Sequence, residues 1–581
     1  MKIRIGEYIK LLSRYLKPQL PQVVLLGFLL AGSIGLQLVN PQIIRYFIDT
    51  VTGDGTGKNL IYAALLYIGL AIVQQVIAVF ATYVSQDVGW KSTNELRCQL
   101  VLHCMKLDMS FHKEHQSGEL IQRVDGDVTA LFEFFSKFSV NLMTNIGLII
   151  GVVVLLFGID WRVGAVMVIY CLITFFIFGR IQKASIPYNL KDREINAKFF
   201  GFLGEQIACT EDVRSNGASP NVMHSFYLFL RKWSPARIKC GVANYSPWMA
   251  TEMVSQIGNF TGLGLGAYLW SRGIISVGSI YVIFKYTDLI IRPINQIRRQ
   301  FQDLQNAGSS IVRINELFNI KSKVVDGKGG CLPHGALSVS MNDVSFDYEE
   351  GVSLIKNITM NIPSGRVLGI LGRTGSGKTT LARLLVRFYD VLKGEIRLGG
   401  EVIGNVPLKE LRSHIAYVTQ EVQLFKATVR DNLTFFNNDI TDDAIMKTIC
   451  EIGLKPWLDS MPQGLNTMLD SGGGGLSAGE AQLLAFVRAF LKNPGLLILD
   501  EASSRLDPVT ENLIEKAIDK LLMGRTAIII AHRLKTVQRS DDILILEDGS
   551  ILEQGSRVKL LKNESSHFYH LMQSGIEEVL A

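Results

Sequence analysis

Arg366 to Leu385 reads RVLGILGRTGSGKTTLARLL, and this stretch decides the fold of the second half of the chain. RVLGIL is an apolar run of strand length, and TLARLLVRFY, from Thr380, has the apolar spacing of a helix. Between them GRTGSGKT, Gly372 to Thr379, matches GxxxxGK[ST]. A fortuitous glycine-rich turn would not be flanked by that strand and that helix, so the context supports a P-loop better than the pattern alone. The glycines let successive backbone N–H groups converge on an anion. Lys378 would reach the β- and γ-phosphates of a nucleotide, and the hydroxyl of Thr379 would ligate Mg²⁺. The nucleotide-contacting set is Gly372, Arg373, Thr374, Gly375, Ser376, Gly377, Lys378, Thr379 and Thr380.

Downstream, LLILDE places Asp500 and Glu501 at the end of a buried strand. Two acids there could serve as helix caps. With a P-loop upstream, Asp500 is assigned to the Mg²⁺ shell and Glu501 to polarising the attacking water. TAIIIA and DILIL, from Thr526 and Asp542, supply further strands of an α/β domain. GGGGLSAGE, Gly472 to Glu480, is harder to place. Four glycines spoil helix and strand interiors. The following AQLLAFVRAFLKNP has a helix's apolar stripe. Such an approach to a helix N-terminus suits an anion, yet no lysine lies beside it.

The first half has different physics. The 581 residues are 48% hydrophobic and only 19% charged, so part of the chain belongs in lipid. Six apolar runs are long enough to cross a bilayer: Val23 to about Ile44, Leu60 to about Thr82, Leu142 to Phe157, Val163 to Phe178, about Met253 to Trp270, and Ile274 to Ile291 after a two-residue turn at Ser271 and Arg272. Two long connections, about Val84 to Phe138 and Arg180 to Met249, are rich in Lys and Arg. By the positive-inside rule they face the cytosol with both termini. They read as helical extensions of the spans with a turn at each tip. The N-terminal MKIRIGEYIKLLSRYLKP is amphipathic and reads as an interfacial helix, not a signal peptide. KSKVVDGKGGCLPHGA, Lys321 to Ala336, is a linker. The domains are therefore 1–320, a transmembrane domain, 321–336, the linker, and 337–581, the α/β domain.

A net charge of +6 over this length does not argue for nucleic acid. The seven cysteines show no CxxC spacing and read as free thiols. His112 and His115 lack a carboxylate or cysteine at ligand spacing and read as a polar turn. Lys285 and Asp288, three apart in the sixth run, either line a polar cavity or pair near the cytosolic end, and Glu252 is interfacial.

Taken in order, these segments resemble the ATP-binding-cassette (ABC) transporters of the exporter type, a six-span membrane half fused to one cassette. The resemblance covers essentially the whole chain. It implies an α-helical polytopic membrane domain plus an α/β P-loop cassette. It also implies ATP and Mg²⁺ as cofactors, ATP hydrolysis coupled to transport, and a multi-pass protein in the cell membrane with its cassette in the cytoplasm. Tyr348 in VSFDY falls where the family stacks an aromatic on adenine. Gln420 in YVTQEVQLF resembles the glutamine that touches Mg²⁺, and His532 in IIIAHRL the histidine that contacts the γ-phosphate. SRLD, Ser504 to Asp507, resembles the loop between two cassettes, and LSAGE resembles the signature LSGGQ. In that family two cassettes close head to tail, so Ser477 and the backbone at Gly479 would bind a phosphate whose lysine sits on another chain.

Ala478 and Glu480 depart from the commonest signature, Arg505 from the usual small residue of SALD, and Ser471 stands where a glutamate is frequent. An imperfect signature beside an intact Lys378, Glu501 and His532 implies a heterodimer of half-transporters, this chain supplying the catalytic half-site with Glu501, His532 and Gln420. The tips near Phe111 to Gly118 and Cys209 to Asn216 are expected to contact the cassette. The expected activity is export of a drug-like, lipid-like or peptide substrate. A leader-cleaving peptide exporter is disfavoured, since no protease domain precedes the spans. The rivals are an ATP-gated channel or regulator, and an importer built on the same architecture.

Overall fold

Six long helices and two β-sheets carry the architecture in the computed structural model, which describes residues 17–53, 57–349, 351–470, 476–500, 508–531 and 534–574. The expected interfacial helix before residue 17, the four glycines 472–475, Ser471, Glu501, Ser504 to Asp507 and His532 lie outside the described residues. The contacts divide the chain into two units. One comprises Met1–Met105 and Ser117–Ile320, and the other Lys106–Gln116 and Lys321–Ala581.

The long helices of the first unit are α1 (Leu20–Thr52) and α2 (Gly57–Lys106), then, beyond the tip helix α3 (Met109–Glu114) of the other unit, α4 (Ser139–Ile159), α5 (Trp161–Ala208), the short tip helix α6 (Thr210–Ser215), α7 (Ser219–Ser271) and α8 (Val277–Asn319). At about 1.5 Å per residue, the 50 residues of α2 reach roughly 75 Å, more than twice a bilayer core, so the helices continue well past the membrane. Segments Lys17–Thr52, Gly57–Lys106, Val140–Ile159 and Trp161–Ala208 are long and apolar enough to cross a membrane. The fifth and sixth runs fall in α7 and α8, which are long but of mixed composition.

Their packing explains the mixture. Gly258, Gly262 and Gly266 form a stripe on α7, where an added Cβ would meet Tyr170, Thr287 and Ile280 respectively. Small residues at that spacing let helices approach closely inside lipid. On α8, Val282, Ile283, Tyr286 and Ile290 are fully buried. Tyr286 donates its hydroxyl hydrogen to the Leu38 carbonyl at 2.7 Å and accepts from Gln42 Nε2 at 2.9 Å. Polar groups held between helices need not be as hydrophobic as a lipid-facing span.

The sixth span starts later than expected, and its turn is longer. Gly273, at φ 69°, follows the end of α7, and α8 begins at Val277 with Ser276 as its N-cap. Asp49 of α1 accepts from the Gly278 N–H and from the Ser276 hydroxyl, both at 2.8 Å, which fixes that start. Lys285 and Asp288 lie 3.7 Å apart as a half-exposed ion pair. All seven cysteines are free. His115 stacks on Phe111 with ring centroids 4.3 Å apart, and its Nδ1 lies 3.1 Å from the Phe111 carbonyl.

The second unit contains the tip helix α3. Asp108 caps it, accepting from Ser110 and Phe111 N–H groups at 3.0 and 3.3 Å. The same carboxylate accepts from the Lys323 N–H and the Ser322 hydroxyl, tying the tip to the chain that follows α8. Burial would raise the Asp108 pKa, but these donors outweigh it and hold the carboxyl below its ordinary value. The other tip, α6, has no buried residue.

Among the described residues, ten strands build the cassette: β1 (Val339–Asp347), β2 (Ser353–Ile362), β3 (Val367–Gly372), β4 (Lys393–Leu398), β5 (Glu401–Val402), β6 (Ile415–Val418), β7 (Leu496–Asp500), β8 (Thr526–Ile530), β9 (Asp542–Glu547) and β10 (Ser550–Ser556). One sheet has the order β10-β9-β3-β8-β7-β6, parallel except for β10, and the other, β2-β1-β4-β5, is antiparallel. Strands β3, β7 and β8 are buried at every residue, as expected of a parallel sheet covered on both faces. Ligands of such sheets bind beyond the carboxyl ends of the strands. The P-loop leaves β3 at that end, and Asp500 ends β7, one strand away across β8.

Candidate functional site

The phosphate cradle is built by backbone first. Helix α9 (Lys378–Leu385) starts from Gly377, whose φ of 102° disfavours any side chain. A Cβ there would also sit 2.5 Å from Ile355 Cδ1. Lys378 is buried, and its Nζ donates to the carbonyls of Gly372 at 2.5 Å and Arg373 at 2.9 Å. The ammonium is folded onto its own loop. Ser376 is 5% exposed, and its Oγ has no hydrogen-bond partner among the described residues. A buried hydroxyl left that way costs free energy until an acceptor arrives. Arg373, Thr374 and Gly375 are exposed at the rim, and Thr380 is buried behind it. A phosphate entering the loop at the N-terminus of α9 would satisfy Ser376 and draw Lys378 off the carbonyls.

Thr379 Oγ1 and Asp500 Oδ1 are 3.5 Å apart. Both are hard oxygen donors of the kind Mg²⁺ takes. The other Asp500 oxygen accepts from the Tyr417 hydroxyl at 3.1 Å. Burial, reinforced by the Asp500 charge, pushes the Tyr417 phenol up, so it stays protonated and donating. Tyr417 is absent from the set expected from sequence. Its place follows from register: Tyr417 pairs with Ile498, two residues from Asp500 and therefore on the same face of β7. Gln420 lies just beyond β6 and is exposed.

Tyr348 follows β1 and is half-buried. Its hydroxyl lies 3.3 Å from Thr380 Oγ1 and accepts from Arg383 Nη1 at 3.3 Å. The expected base-stacking residue and the P-loop helix are thus brought together.

Ser477 and Gly479 form a separate feature at the start of α10 (Ala478–Lys492). Ser477 Oγ accepts from the Glu480 N–H at 3.2 Å, and Glu480 reaches back to the Ser477 N–H at 2.7 Å. This capping box satisfies two N–H groups at the helix start. Glu480 also accepts from Trp457 Nε1 at 2.9 Å, so the acid in the signature position holds the loop together. Ser477 and Ala478 are exposed and Gly479 is buried. A hydroxyl that accepts one bond still has its own hydrogen to donate outward.

Residues 23–294 match the ABC transporter transmembrane region, and residues 355–504 match the ABC transporter cassette family. The chain is 30% identical over 568 residues to the uncharacterised ABC transporter ATP-binding protein YknV of Bacillus subtilis, covering 95% of this chain and 92% of that one. The chain is an ABC transporter.

The transporter is also 29% identical, over 90% of its length and 78% of the relative's, to a probable multidrug resistance ABC transporter ATP-binding/permease protein of Bacillus subtilis, YheH. To an ATP-dependent lipid A-core flippase of Idiomarina loihiensis it is 28% identical, over 97% and 98% of the two chains. Its fold matches a bacterial Atm1-family ABC exporter with ATP bound, at a TM-score of 0.78 and 22% identity, covering 95% and 99% of the chains. The transporter is thus a multi-pass plasma-membrane protein of the exporter type. Its cassette binds ATP, and its ATPase activity is coupled to transport. Transporters of this kind work in the membrane as dimers.

Proposed function

We propose that this chain is the catalytic half of a heterodimeric exporter that moves a drug-like or lipid-like amphipath out of the cell. The observation that carries this reading is a buried Ser376 hydroxyl with no hydrogen-bond partner among the described residues, beside a Lys378 ammonium that donates to the Gly372 and Arg373 carbonyls. Both are placed to bind the phosphates of ATP.

Lys378 and Ser376 bind those phosphates, and Tyr348 takes the base. Thr379, Asp500 and Gln420 would hold Mg²⁺, which neutralises charge developing on the phosphates. Tyr417 orients Asp500. Glu501 accepts a proton from the attacking water, and His532 steadies the γ-phosphate. Ser477 caps its own helix and presents its hydrogen and the start of α10 to ATP held by the partner chain. The nucleotide is then gripped on both sides only in the closed dimer, so ATP favours closure by its differential affinity for that state. Closure is transmitted through α3, which shares a compact unit with the cassette. Loss of the γ-phosphate reopens the pair.

The partner follows from the signature. Ala478 places a Cβ at the exposed start of α10, where backbone would approach phosphate. A partner of the same architecture with LSGGQ and a replaced catalytic glutamate would complement it. The apolar spans and the names of the multidrug and lipid-flippase relatives favour amphipathic cargo.

The test is Glu501→Gln in nanodiscs with the co-purified partner. It should bind ATP and lose hydrolysis and substrate-stimulated transport. Unchanged turnover refutes the catalytic assignment. ATP binding in the wild type without cargo-stimulated turnover would mark a channel or regulator instead. Full activity of this chain purified alone would refute the heterodimer.

A further inference from the structure

The tip helix touches Tyr348, the residue proposed to take the base. Lys113, near the end of α3, holds its Nζ 4.4 Å from the centroid of the Tyr348 ring. That is well within cation–π range. The tip is held in place from its other end, where Asp108 bonds both α3 and Lys323. Ser110 and Tyr348 also line a common cleft of about 470 Å³. Lys113 is therefore presented to the ring by a fixed support.

Neighbouring groups hold the ring in place. Its hydroxyl is engaged by Thr380 and Arg383. Phe346 and Tyr389 meet it edge to face, at 86° and 87° with centroids 5.0 and 5.1 Å away. A purine that stacks on Tyr348 must lie flat over a ring face. An ammonium over a ring face at 4.4 Å and a base stacked on that same face exclude each other.

We propose that Lys113 is a positioning residue that covers the base-stacking face of Tyr348 while the site is free of nucleotide, so that an arriving adenine must displace it. Displacement frees Lys113 from the cassette and reports base occupancy to the tip helix. Phosphate contacts alone do not send this signal. The inference rests on the assignment of Tyr348 to the base.

The test compares ATP with inorganic tripolyphosphate, which carries a similar charge and no base. Binding of each is measured to the full-length transporter in nanodiscs, as wild type, Lys113→Ala, Lys113→Arg, Tyr348→Ala and the Lys113→Ala/Tyr348→Ala double variant. The ratio of ATP to tripolyphosphate affinity should rise about two- to fivefold in Lys113→Ala, the range expected from losing one exposed cation–π contact. Lys113→Arg should keep the wild-type ratio. In the Tyr348→Ala background, removing Lys113 should no longer change it. An unchanged or lowered ratio in Lys113→Ala, or a rise that persists without the Tyr348 ring, overturns the proposal. If the wild type binds neither compound, the nucleotide-site reading itself fails. If it binds ATP but Lys113→Ala leaves the ratio alone, only the role of Lys113 fails.

Discussion

Tyr417 donates its hydroxyl hydrogen to Asp500 across 3.1 Å, while the other oxygen of Asp500 faces Thr379. The tyrosine thereby sets which carboxylate oxygen is left for a metal. Tyr417→Phe keeps the ring and removes only that bond. ATP binding without Mg²⁺ should be unchanged. The Mg²⁺ concentration for half-maximal ATPase should rise about tenfold, the low end of what loss of a ligand's supporting hydrogen bond costs. A Mg²⁺ titration of turnover reads this directly, and an unchanged midpoint would place Tyr417 outside the metal's support.

Gly377→Ala tests the backbone of the cradle. The residue sits at φ 102°, and its new methyl would meet Ile355 at 2.5 Å. Strain of this kind costs about 1–3 kcal/mol. The P-loop should reshape to relieve it, so ATP binding should be lost while the rest of the cassette stays folded. Equilibrium nucleotide binding together with a thermal unfolding profile separates those two effects.

What could be read from the chain alone was local. The P-loop announces itself because its glycines, lysine and threonine act within eight residues, and β3, β7, β8 and β9 are apolar runs buried almost throughout. The helix after the P-loop was expected to reach Tyr389 but stops at Leu385, because Arg387 takes a left-handed φ of 53°. Nothing in its residue type asks for that. Tyr417 is not legible in the sequence for a different reason. Its role exists only once β6 is laid beside β7 in one particular register. The antiparallel sheet was equally hidden: β2 alternates buried and exposed positions irregularly, with bulges against β1. The capping box at Ser477 was legible in principle, since Ser-Ala-Gly-Glu has the S-x-x-E spacing. The same letters also carry the resemblance to the signature.

The glycine stripe on α7 makes a paired prediction. Gly258→Ala would put a methyl 2.5 Å from the Tyr170 ring and disturb its 3.0 Å bond to the Val254 carbonyl. Overpacking of this sort costs about 1–3 kcal/mol. Gly264→Ala on the same helix meets nothing within 4 Å and should be neutral or slightly stabilising. Thermal unfolding of the two variants in detergent should differ, with Gly258→Ala the lower. Equal midpoints would mean that α5 and α7 are not held together at this stripe.

Asp108 gives the tip a pH dependence with a definite sign. Its carboxyl is held below the ordinary aspartate value of 3.8, because burial is outweighed by bonds from Lys323, Phe111, Ser110 and Ser322. An acid whose folded pKa is depressed stabilises the fold above its unfolded value and loses that contribution as pH falls through the folded one. The attachment of α3 should therefore be constant from neutral pH to about 4 and weaken below it. Amide hydrogen exchange at Ser110, Phe111 and Lys323, corrected for intrinsic rates, should quicken only in the acid range. Asp108→Asn should exchange faster already at neutral pH.

Ser477 serves two roles that substitution can pull apart. As N-cap it accepts from Glu480, and as a signature residue it offers a hydrogen to the partner's ATP. Ser477→Ala removes both, so it should cost about 1 kcal/mol of stability and most of the turnover. Aspartate caps a helix as well as serine does, but it has no hydrogen to donate and repels a phosphate. Ser477→Asp should therefore unfold near the wild-type temperature and be as inactive as Ser477→Ala in the assembled dimer. Because the serine would act on the site completed by the partner's P-loop, the loss should appear in ATP-dependent dimer closure, followed by cross-linking. ATP binding to this chain's own Lys378 should not change. If Ser477→Asp hydrolyses ATP at the wild-type rate, the serine is a helix cap and nothing more.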